Sequence, residues 1–197
     1  MPTVVVPFRG TEGKSRLAGL PLAARASVRE AMLGDVLAAC EAVGMTYLVT
    51  SARRLKTAAT VVADDGHGQG AAVAAGLEAA ERAGATPPFL VVNADLPCVT
   101  ARDLLALAGA IPDRGLALVA AVDGTTNALA LSSPELFVPL YGPGSAARFA
   151  ALAPSRALAV PNLIDDVDTV VDLERLVGRL GPRTRRTLTR LQTGALA

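Results

Sequence analysis

The chain has 197 residues, of which 51% are hydrophobic, and its 19 basic and 18 acidic side chains give a formal net charge of +1. This length suits one compact domain, and the balanced charge offers no broad basic surface for nucleic acid. Cys40 and Cys98 lie far apart and lack histidines at ligand spacing, so neither a disulfide framework nor a zinc site is expected. No apolar run approaches the roughly 20 residues that cross a bilayer, and the N-terminus lacks a signal-peptide pattern. We therefore expect a cytoplasmic protein without a membrane partner.

In the first half of the chain, apolar runs alternate with helical segments. The runs TVVVPF, TYLVT, TVVA and FLVVN predict four strands. The segments between them predict helices over residues 24–43 and 70–83 and a short helix over 52–59. Thr100 followed by Asp103 resembles a capping box and predicts a further helix to about Ala110.

The second half contains LALVAAV and NALALSS, two strands separated by a short turn at Asp123-Gly124, which predicts an antiparallel insertion. A helix over 145–152, the strand RALAV and a last helix over 169–180 follow. Strands that alternate with helices predict a mostly parallel sheet with a mixed edge, covered on both faces. The fold class expected is therefore a three-layer α/β/α domain, with its chemistry in the loops at the carboxyl ends of the strands.

The first such loop, RGTEGKSRL, carries the cations Arg9, Lys14 and Arg16 together with Gly10 and Gly13. Glycines let backbone N–H groups approach phosphate oxygens, and the cations offset their charge, so this composition indicates a polyphosphate site. The spacing matches neither a Walker A sequence nor GxGxxG. A solvated basic loop is the alternative interpretation.

The loop DDGHGQG after the third predicted strand contains Gly66, Gly68 and Gly70 at the start of a helix. Alternating glycines leave a bare backbone surface on which a base or ribose can lie, and the helix N-terminus adds partial positive charge. His67, the single histidine of the chain, is interpreted as an exposed loop residue.

Carboxylates follow two segments of the predicted core. Asp95 comes directly after the fourth strand, and Asp165, Asp166 and Asp168 precede the last predicted helix. One interpretation is that Asp168 or Thr169 caps that helix. The other is that carboxylates from separate loops share Mg²⁺, a hard cation that binds carboxylates and substrate phosphates together.

Six segments occur in a recognisable order: GKSRL, DDGHGQGAAVAAGL, ADLP, GTTNAL, GPGSAARF and DVDTVVDL. In this order they resemble nucleotidyltransferases of the glycosyltransferase-A type, which have a Rossmann-like, nucleotide-diphospho-sugar-transferase fold. The resemblance is closest to the 2-phospho-L-lactate guanylyltransferase family, some of whose members act on phosphoenolpyruvate in coenzyme F-420 biosynthesis. GTTNAL followed by GPGSAARF is the part that points to this family.

The resemblance implies transfer of GMP from GTP to phosphoenolpyruvate or 2-phospho-L-lactate, with Mg²⁺ as cofactor and pyrophosphate as product. It implies a single nucleotidyltransferase domain over residues 1–181 and a basic C-terminal tail over 182–197. The catalytic residues would be Lys14, Arg16 and Asp95, and the Mg²⁺ ligands Asp95, Asp166 and Asp168. The nucleotide would contact Arg9, Gly10, Lys14, Gly66, Gly68, Gln69 and Gly70. The acceptor would contact Thr125, Thr126, Gly142 and Ser145.

Several positions depart from the family pattern. Arg9 replaces the usual lysine, and the first loop is about one residue short. Gln69-Gly70 replaces the more usual Leu-Asn, which leaves base selectivity open, and Phe149 stands where histidine is frequent, which leaves the acceptor open. The alternatives are a molybdenum-cofactor or sugar-phosphate nucleotidyltransferase and a non-catalytic nucleotide-binding protein. The first of these usually has a longer LAGGxSxRMG-like loop, which this chain lacks. The sequence does not decide the oligomeric state, and a homodimer is one of the states it allows.

Overall fold

A computed structural model describes residues 1–10, 17, 19–52 and 55–194. The strands are β1 (Thr3–Phe8), β2 (Met45–Thr50), β3 (Thr60–Ala63), β4 (Phe89–Val92), β5 (Leu116–Ala120), β6 (Thr126–Leu131) and β7 (Ser155–Ala157). The helices are α1 (Leu22–Glu41), α2 (Gln69–Arg82), α3 (Ala101–Gly109), α4 (Ser145–Ala150), α5 (Pro161–Ile164), α6 (Val170–Leu176) and α7 (Pro182–Gly194). Across these ranges, the chain forms no helix that has both the length and the apolar character needed to span a membrane.

The strands form one mixed sheet in the order β3-β2-β1-β4-β6-β5-β7. The first four are parallel to one another, β6 is antiparallel to β4 and β5, and β7 is parallel to β5. Among the described strands, β6 therefore runs against the other six. This confirms the mostly parallel sheet and the antiparallel insertion that the sequence predicts.

Helices cover both faces of the sheet. Successive residues of β1 point to opposite faces, and Val4, Val5 and Val6 are all fully buried. Val4 and Val6 pack in the cluster that includes α1, α3 and α5, whereas Val5 packs against α2 and the α4 side. A strand buried on both sides needs a continuous apolar run, which TVVVPF supplies. The three-layer α/β/α prediction is confirmed.

The β5–β6 hairpin determines which residues reach the carboxyl edge of the sheet. Its tight turn bonds Ala121 N to Thr125 O at 2.8 Å and Gly124 N to Ala121 O at 3.1 Å. Gly124 has φ +80°, a left-handed conformation that glycine adopts without strain. Because β6 is antiparallel to β4, its first residues, Thr126 and Asn127, lie beside the carboxyl end of β4. Asn93 N donates to Asn127 O at 3.1 Å.

Several elements differ from the predicted ones. The short helix expected over 52–59 does not form in its described part, since residues 55–59 are irregular. The helix predicted to end at residue 180 ends at Leu176. Of the predicted strand RALAV, only Arg156 and Ala157 lie in β7, which begins one residue earlier at Ser155. The four-residue α5 has no periodic pattern long enough to predict it. The other predicted strands and helices are confirmed to within a few residues at their ends.

The basic segment from residue 182, predicted as a tail, forms α7 up to Gly194 and packs on α1. Asp35 of α1, 5% exposed, provides the anchor. It accepts hydrogen bonds from the backbone N–H groups of Arg183 (2.9 Å) and Thr184 (2.8 Å) and from Thr184 Oγ1 (2.7 Å). These bonds satisfy N–H groups in the first turn of α7, which have no partner within their own helix.

Candidate nucleotidyl-transfer site

Three carboxylates converge at the carboxyl edge of the sheet. Asp95 follows β4, and Asp166 and Asp168 lie in the loop between α5 and α6. Each offers an oxygen that lies within 4.8 Å of the others, and all three residues are partly buried. The backbone joins the two loops, because Val167 N donates to Asp95 O at 3.0 Å.

The three aspartates of the segment DDVD, residues 165–168, point in different directions. Val167 is buried in the cluster with Leu173 and Leu176, and Asp166 and Asp168 on either side of it line a cleft at this edge of the sheet. Asp165 instead forms ion pairs with Arg175, at 2.7 Å, and with Arg179. Although partial burial disfavours its charged form, hydrogen bonds from these two arginines lower the pKa of Asp165.

The helix-capping interpretation applies to Thr169 and not to Asp168. Thr169 accepts from Asp172 N at 3.2 Å, and the Asp172 carboxylate accepts from Thr169 N at 2.9 Å, which completes a capping box. Asp168 lines the cleft instead. Thr100 and Asp103 form the same arrangement at the start of α3, as predicted.

The negative charges of the carboxylate cluster repel one another. Burial, followed by the charges of Asp95 and Asp168, raises the pKa of Asp166 from 3.8 to about 6. Three neighbouring carboxylates with this mutual repulsion are stabilised by a cation placed among them. Carboxylate oxygens are hard ligands of the kind that Mg²⁺ and Mn²⁺ prefer, so the residues present fit a divalent metal.

The cluster lines a cleft of about 730 Å³ that also receives predicted nucleotide-binding residues. Arg9 and Gln69 both line this cleft. A Cβ added at Gly68 would lie 3.6 Å from Arg9 Nη2, so the Arg9 guanidinium lies against the glycine loop. Lys14 and Arg16 lie outside the described residues. Leu17, the first described residue after Gly10, donates its N–H to Asp168 O at 2.9 Å.

The remaining glycines predicted to bind the nucleotide have different surroundings. Gly10, Gly66 and Gly68 have positive φ, as their tight turns require. Gly70 packs against Pro139, and a Cβ there would come within 2.5 Å of the proline Cβ. The glycine at position 70, where the family more usually has asparagine, is therefore explained by its packing against Pro139. His67 is exposed and lies outside the lining of the main cleft.

The predicted acceptor residues separate into cleft-lining and supporting positions. Thr125, Thr126 and Gly142 line the cleft. Ser145 is fully buried, and its hydroxyl lies 3.1 Å from Thr126 Oγ1, so it supports Thr126 from behind. Gly142 has φ +113°, a conformation that side-chain-bearing residues rarely adopt.

Phe149, the other departure from the family pattern, does not reach the cleft. It is fully buried and packs on Phe137, with ring centroids 6.2 Å apart, and edge-to-face on Tyr141 at 5.3 Å. Tyr141 lines the cleft next to Gly142. Phe149 thus packs behind a residue that lines the cleft, Tyr141.

Sequence reasoning missed several residues that line the cleft. They are Arg29, Asp64, Asn93, Asp123, Asn127 and Tyr141. Arg29 comes from α1, and its guanidinium carbon lies 5.9 Å from the centroid of the Phe8 ring. Its position in the middle of a helix gave no signal. Asn93 and Asn127 do have a signal, because Asn93 lies two residues before Asp95 and Asn127 directly follows Thr126.

The cleft combines a carboxylate cluster, a cation against a glycine loop, and hydroxyls at the carboxyl edge of a three-layer sheet. Together, this fold and site define a nucleotidyltransferase. Residues 13–160 match the MobA-like NTP transferase domain. The chain belongs to the MobA-like NTP transferase family, in its group of phosphoenolpyruvate and 2-phospho-L-lactate guanylyltransferases.

Three relatives illustrate this group, and a fourth is a guanylyltransferase named for a different acceptor. A phosphoenolpyruvate guanylyltransferase of Sphaerobacter thermophilus is 45% identical over 109 residues, which cover 52% of this chain and 52% of that protein. One of Conexibacter woesei is 36% identical and covers 87% of this chain and 85% of its own. A 2-phospho-L-lactate guanylyltransferase of Methanosphaerula palustris is 31% identical, with coverages of 88% and 79%. A 3-phospho-D-glycerate guanylyltransferase of Phenylobacterium zucineum is 32% identical, with coverages of 95% and 94%.

Solved structures show the same fold. A protein from Desulfovibrio desulfuricans G20, assigned as a nucleotide-diphospho-sugar transferase, has a TM-score of 0.77 at 16% identity and covers 98% of this chain and 95% of its own. Rv0371C from Mycobacterium tuberculosis, solved in complex with manganese, has a TM-score of 0.54 at 22% identity, with coverages of 90% and 97%.

Proposed function

We propose that this protein transfers GMP from GTP to phosphoenolpyruvate, or to 2-phospho-L-lactate, with release of pyrophosphate in coenzyme F-420 biosynthesis. The observation that carries the proposal is a single cleft lined by Asp95, Asp166 and Asp168 together with Arg9 and Thr126. Metal ligands, a cation for the nucleotide and hydroxyls for an acceptor thus share one space. The names of the relatives favour this activity over a molybdenum-cofactor or sugar-phosphate acceptor.

In this proposal GTP lies along the first loop and the glycine loop. Arg9, Lys14 and Arg16 offset the charge of the phosphates, and Gly10 and its neighbours let the backbone approach them. Gly66, Gly68 and Gln69 contact the base or ribose. Gly70 serves the same end indirectly, by letting the start of α2 pack on the 137–142 segment.

Asp95, Asp166 and Asp168 would hold Mg²⁺. The bound ion would supply charge stabilisation at the phosphate oxygens of the substrate. The stiff turn at Leu96-Pro97, which is buried, keeps Asp95 in a fixed position. The bond from Val167 N to Asp95 O keeps the other two carboxylates in register with it.

The acceptor would lie against Thr125, Thr126 and Gly142, with Ser145 fixing the Thr126 hydroxyl. Its carboxylate and phosphate both need donors, which hydroxyls and backbone N–H groups provide. We favour phosphoenolpyruvate, because GPGSAARF is closest to relatives that use it and because the relative at 45% identity carries that name.

The reaction forms one P–O bond and breaks another. A phosphate oxygen of the acceptor attacks the α-phosphorus of GTP in line, and the bond to the bridging β-phosphate oxygen breaks, so that pyrophosphate leaves. Because the attacking phosphate is already ionised near neutral pH, no general base is required. Catalysis then depends on positioning and charge stabilisation. His67, exposed and outside the cleft lining, is not needed.

Pyrophosphate release from GTP with each acid in turn tests the proposal. Asp95→Asn should keep the fold, since the side chains are nearly isosteric, and should lose most metal-dependent turnover. Close to full activity of Asp95→Asn at limiting Mg²⁺ would remove Asp95 from the site. Lys14→Ala and Arg16→Ala should each lose a charge-assisted contact of about 1.5–3 kcal/mol in transition-state stabilisation. Unchanged GTP kinetics in both would show that the first loop is merely solvated.

A further inference from the structure

Three side-chain amides form a continuous chain along the wall of the cleft. Gln69 Nε2, at the start of α2, donates to Asn93 Oδ1 at 2.7 Å. Asn93 Nδ2 donates to Thr126 O at 3.2 Å and lies 3.5 Å from Asn127 Oδ1. Asn127 Nδ2, at the start of β6, donates to Ile164 O at 3.0 Å. We call Gln69, Asn93 and Asn127 the amide relay.

Backbone carbonyls fix the direction of every bond in the relay. Ile164 O and Thr126 O can only accept, so the groups that meet them must be the N–H groups of Asn127 and Asn93. With its nitrogen committed to Thr126 O, Asn93 turns its Oδ1 to Gln69. Gln69 must then donate from Nε2 to Asn93 Oδ1, because the flipped amide would place two oxygens against each other.

The relay therefore leaves Gln69 with one orientation, and its Oε1 is the open end. Within the described ranges, no residue donates a hydrogen bond to this oxygen, and Gln69 lines the cleft beside Arg9. An amide offers a donor and an acceptor side by side. When it can rotate by 180° it offers them in either order, and when it is locked it offers them in one order.

That order distinguishes the purines. Guanine presents an acceptor (O6) next to a donor (N1–H) on its Watson–Crick edge, and adenine presents a donor (N6–H) next to an acceptor (N1). An unrestrained glutamine can pair with both edges, whereas a locked one matches a single order. A mismatched edge leaves polar groups of the site without partners, which is the strongest basis for rejecting a competing substrate.

We propose that Asn93 and Asn127 are positioning residues that lock the Gln69 amide, and that the locked amide selects guanine over adenine. The inference rests on the proposed function, since it takes the nucleotide in the cleft to be GTP. It gives the Gln69 departure from the family pattern a role in base selection. It also explains why a polar amide, Asn93, directly follows the buried strand β4.

The test compares GTP with ATP in the full-length protein, by calorimetric binding with Mg²⁺ present and separately by pyrophosphate release with phosphoenolpyruvate. The wild type should prefer GTP. Asn93→Ala leaves Gln69 in place but frees its amide, so the GTP-to-ATP ratio of binding constants should fall by about tenfold, chiefly because ATP binding improves. Gln69→Leu should lower the ratio by weakening GTP.

Asn93→Asp is the complementary variant. Its shape matches asparagine, and an ionised carboxylate can only accept, so it still takes the hydrogen bond from Gln69 Nε2 and should keep the ratio near the wild-type value. Asn162→Ala is the matched control. Its amide bonds Asp103 and Arg179 outside the cleft, and the ratio should stay at the wild-type value.

An unchanged ratio in folded Asn93→Ala would overturn the relay, and so would a ratio in Asn93→Asp that falls as far as in Asn93→Ala. Equal losses of GTP and ATP binding in Gln69→Leu would also overturn it, because they would place the amide on the sugar or phosphates. A wild type that binds both nucleotides equally would also overturn it. If binding follows the expected pattern but no acid supports pyrophosphate release, the relay stands and the proposed transfer fails.

Discussion

Asp166→Asn should stabilise the metal-free protein at pH 7.5 while weakening its affinity for a divalent ion. Burial and the charges of Asp95 and Asp168 raise the pKa of Asp166 from 3.8 to about 6. At 1.36 kcal/mol per pKa unit, this rise corresponds to about 3 kcal/mol against the ionised form. Asp166 is only partly buried, and solvent screens its neighbours, so about 1–2 kcal/mol is expected. For a chain of this length that is about 2–8 °C in Tm.

The pH dependence has a definite sign. Because the pKa of Asp166 is higher in the folded than in the unfolded state, its contribution to stability is present below pH 3.8 and is lost as the pH rises through about 6. The ionised cluster therefore weakens the wild type at pH 7.5 and much less at pH 4.5. The advantage of Asp166→Asn should shrink accordingly on acidification.

Thermal denaturation in EDTA at both pH values measures this effect, and titration with Mg²⁺ or Mn²⁺ should raise the Tm of the wild type more than that of the variant. Asp165→Asn is the matched control, one residue away. It loses hydrogen bonds from Arg175 and Arg179 that lower the pKa of Asp165, so it should destabilise the protein at pH 7.5. An Asp166→Asn protein no more stable than wild type at pH 7.5, or an advantage that grows on acidification, would refute the reasoning.

Three further substitutions test the support of the cleft and the anchor of α7. Gly70→Ala should cost about 1–3 kcal/mol of stability and raise the acceptor KM, because its Cβ would displace Pro139. Gly109→Ala in α3, with no atom within 4 Å of the added carbon, should leave the acceptor KM unchanged and should not lower the stability. Asp35→Ala should lower the free energy of unfolding by about 2–4 kcal/mol in denaturant titrations, because three hydrogen bonds at the start of α7 lose their acceptor. Ser145→Ala should raise the acceptor KM severalfold and leave the GTP KM unchanged, and an unchanged acceptor KM would count against the acceptor assignment.

The fold was predictable because its strands carry local signals. Runs such as TVVVPF combine β-branched residues with burial on both faces, and the Asp123-Gly124 turn is short enough to require an antiparallel hairpin. The basic helix α7 lacks such a signal. Its anchor is Asp35, which lies 148 residues before Arg183 in the chain, and a sequence pattern cannot show that contact.

The carboxylates of the site were also predictable, since Asp95 and the DDVD segment follow core elements at one edge of the sheet. The sequence does not show which of these carboxylates face the cleft. Whether Asp165 or Asp166 faces the cleft depends on Val167 entering the third apolar cluster, a tertiary contact. Gly70 is a second example. A side chain at this position would collide with Pro139, which lies on a distant segment, and the sequence cannot show that contact.

The most direct test of the central claim is identification of the products formed from GTP, phosphoenolpyruvate and Mg²⁺. Mass spectrometry and a pyrophosphate assay on one reaction should find pyrophosphate and guanylylated phosphoenolpyruvate in equal amounts, with neither formed by Asp95→Asn. Formation of GDP and inorganic phosphate, or no pyrophosphate with phosphoenolpyruvate, 2-phospho-L-lactate or 3-phospho-D-glycerate, would contradict the account.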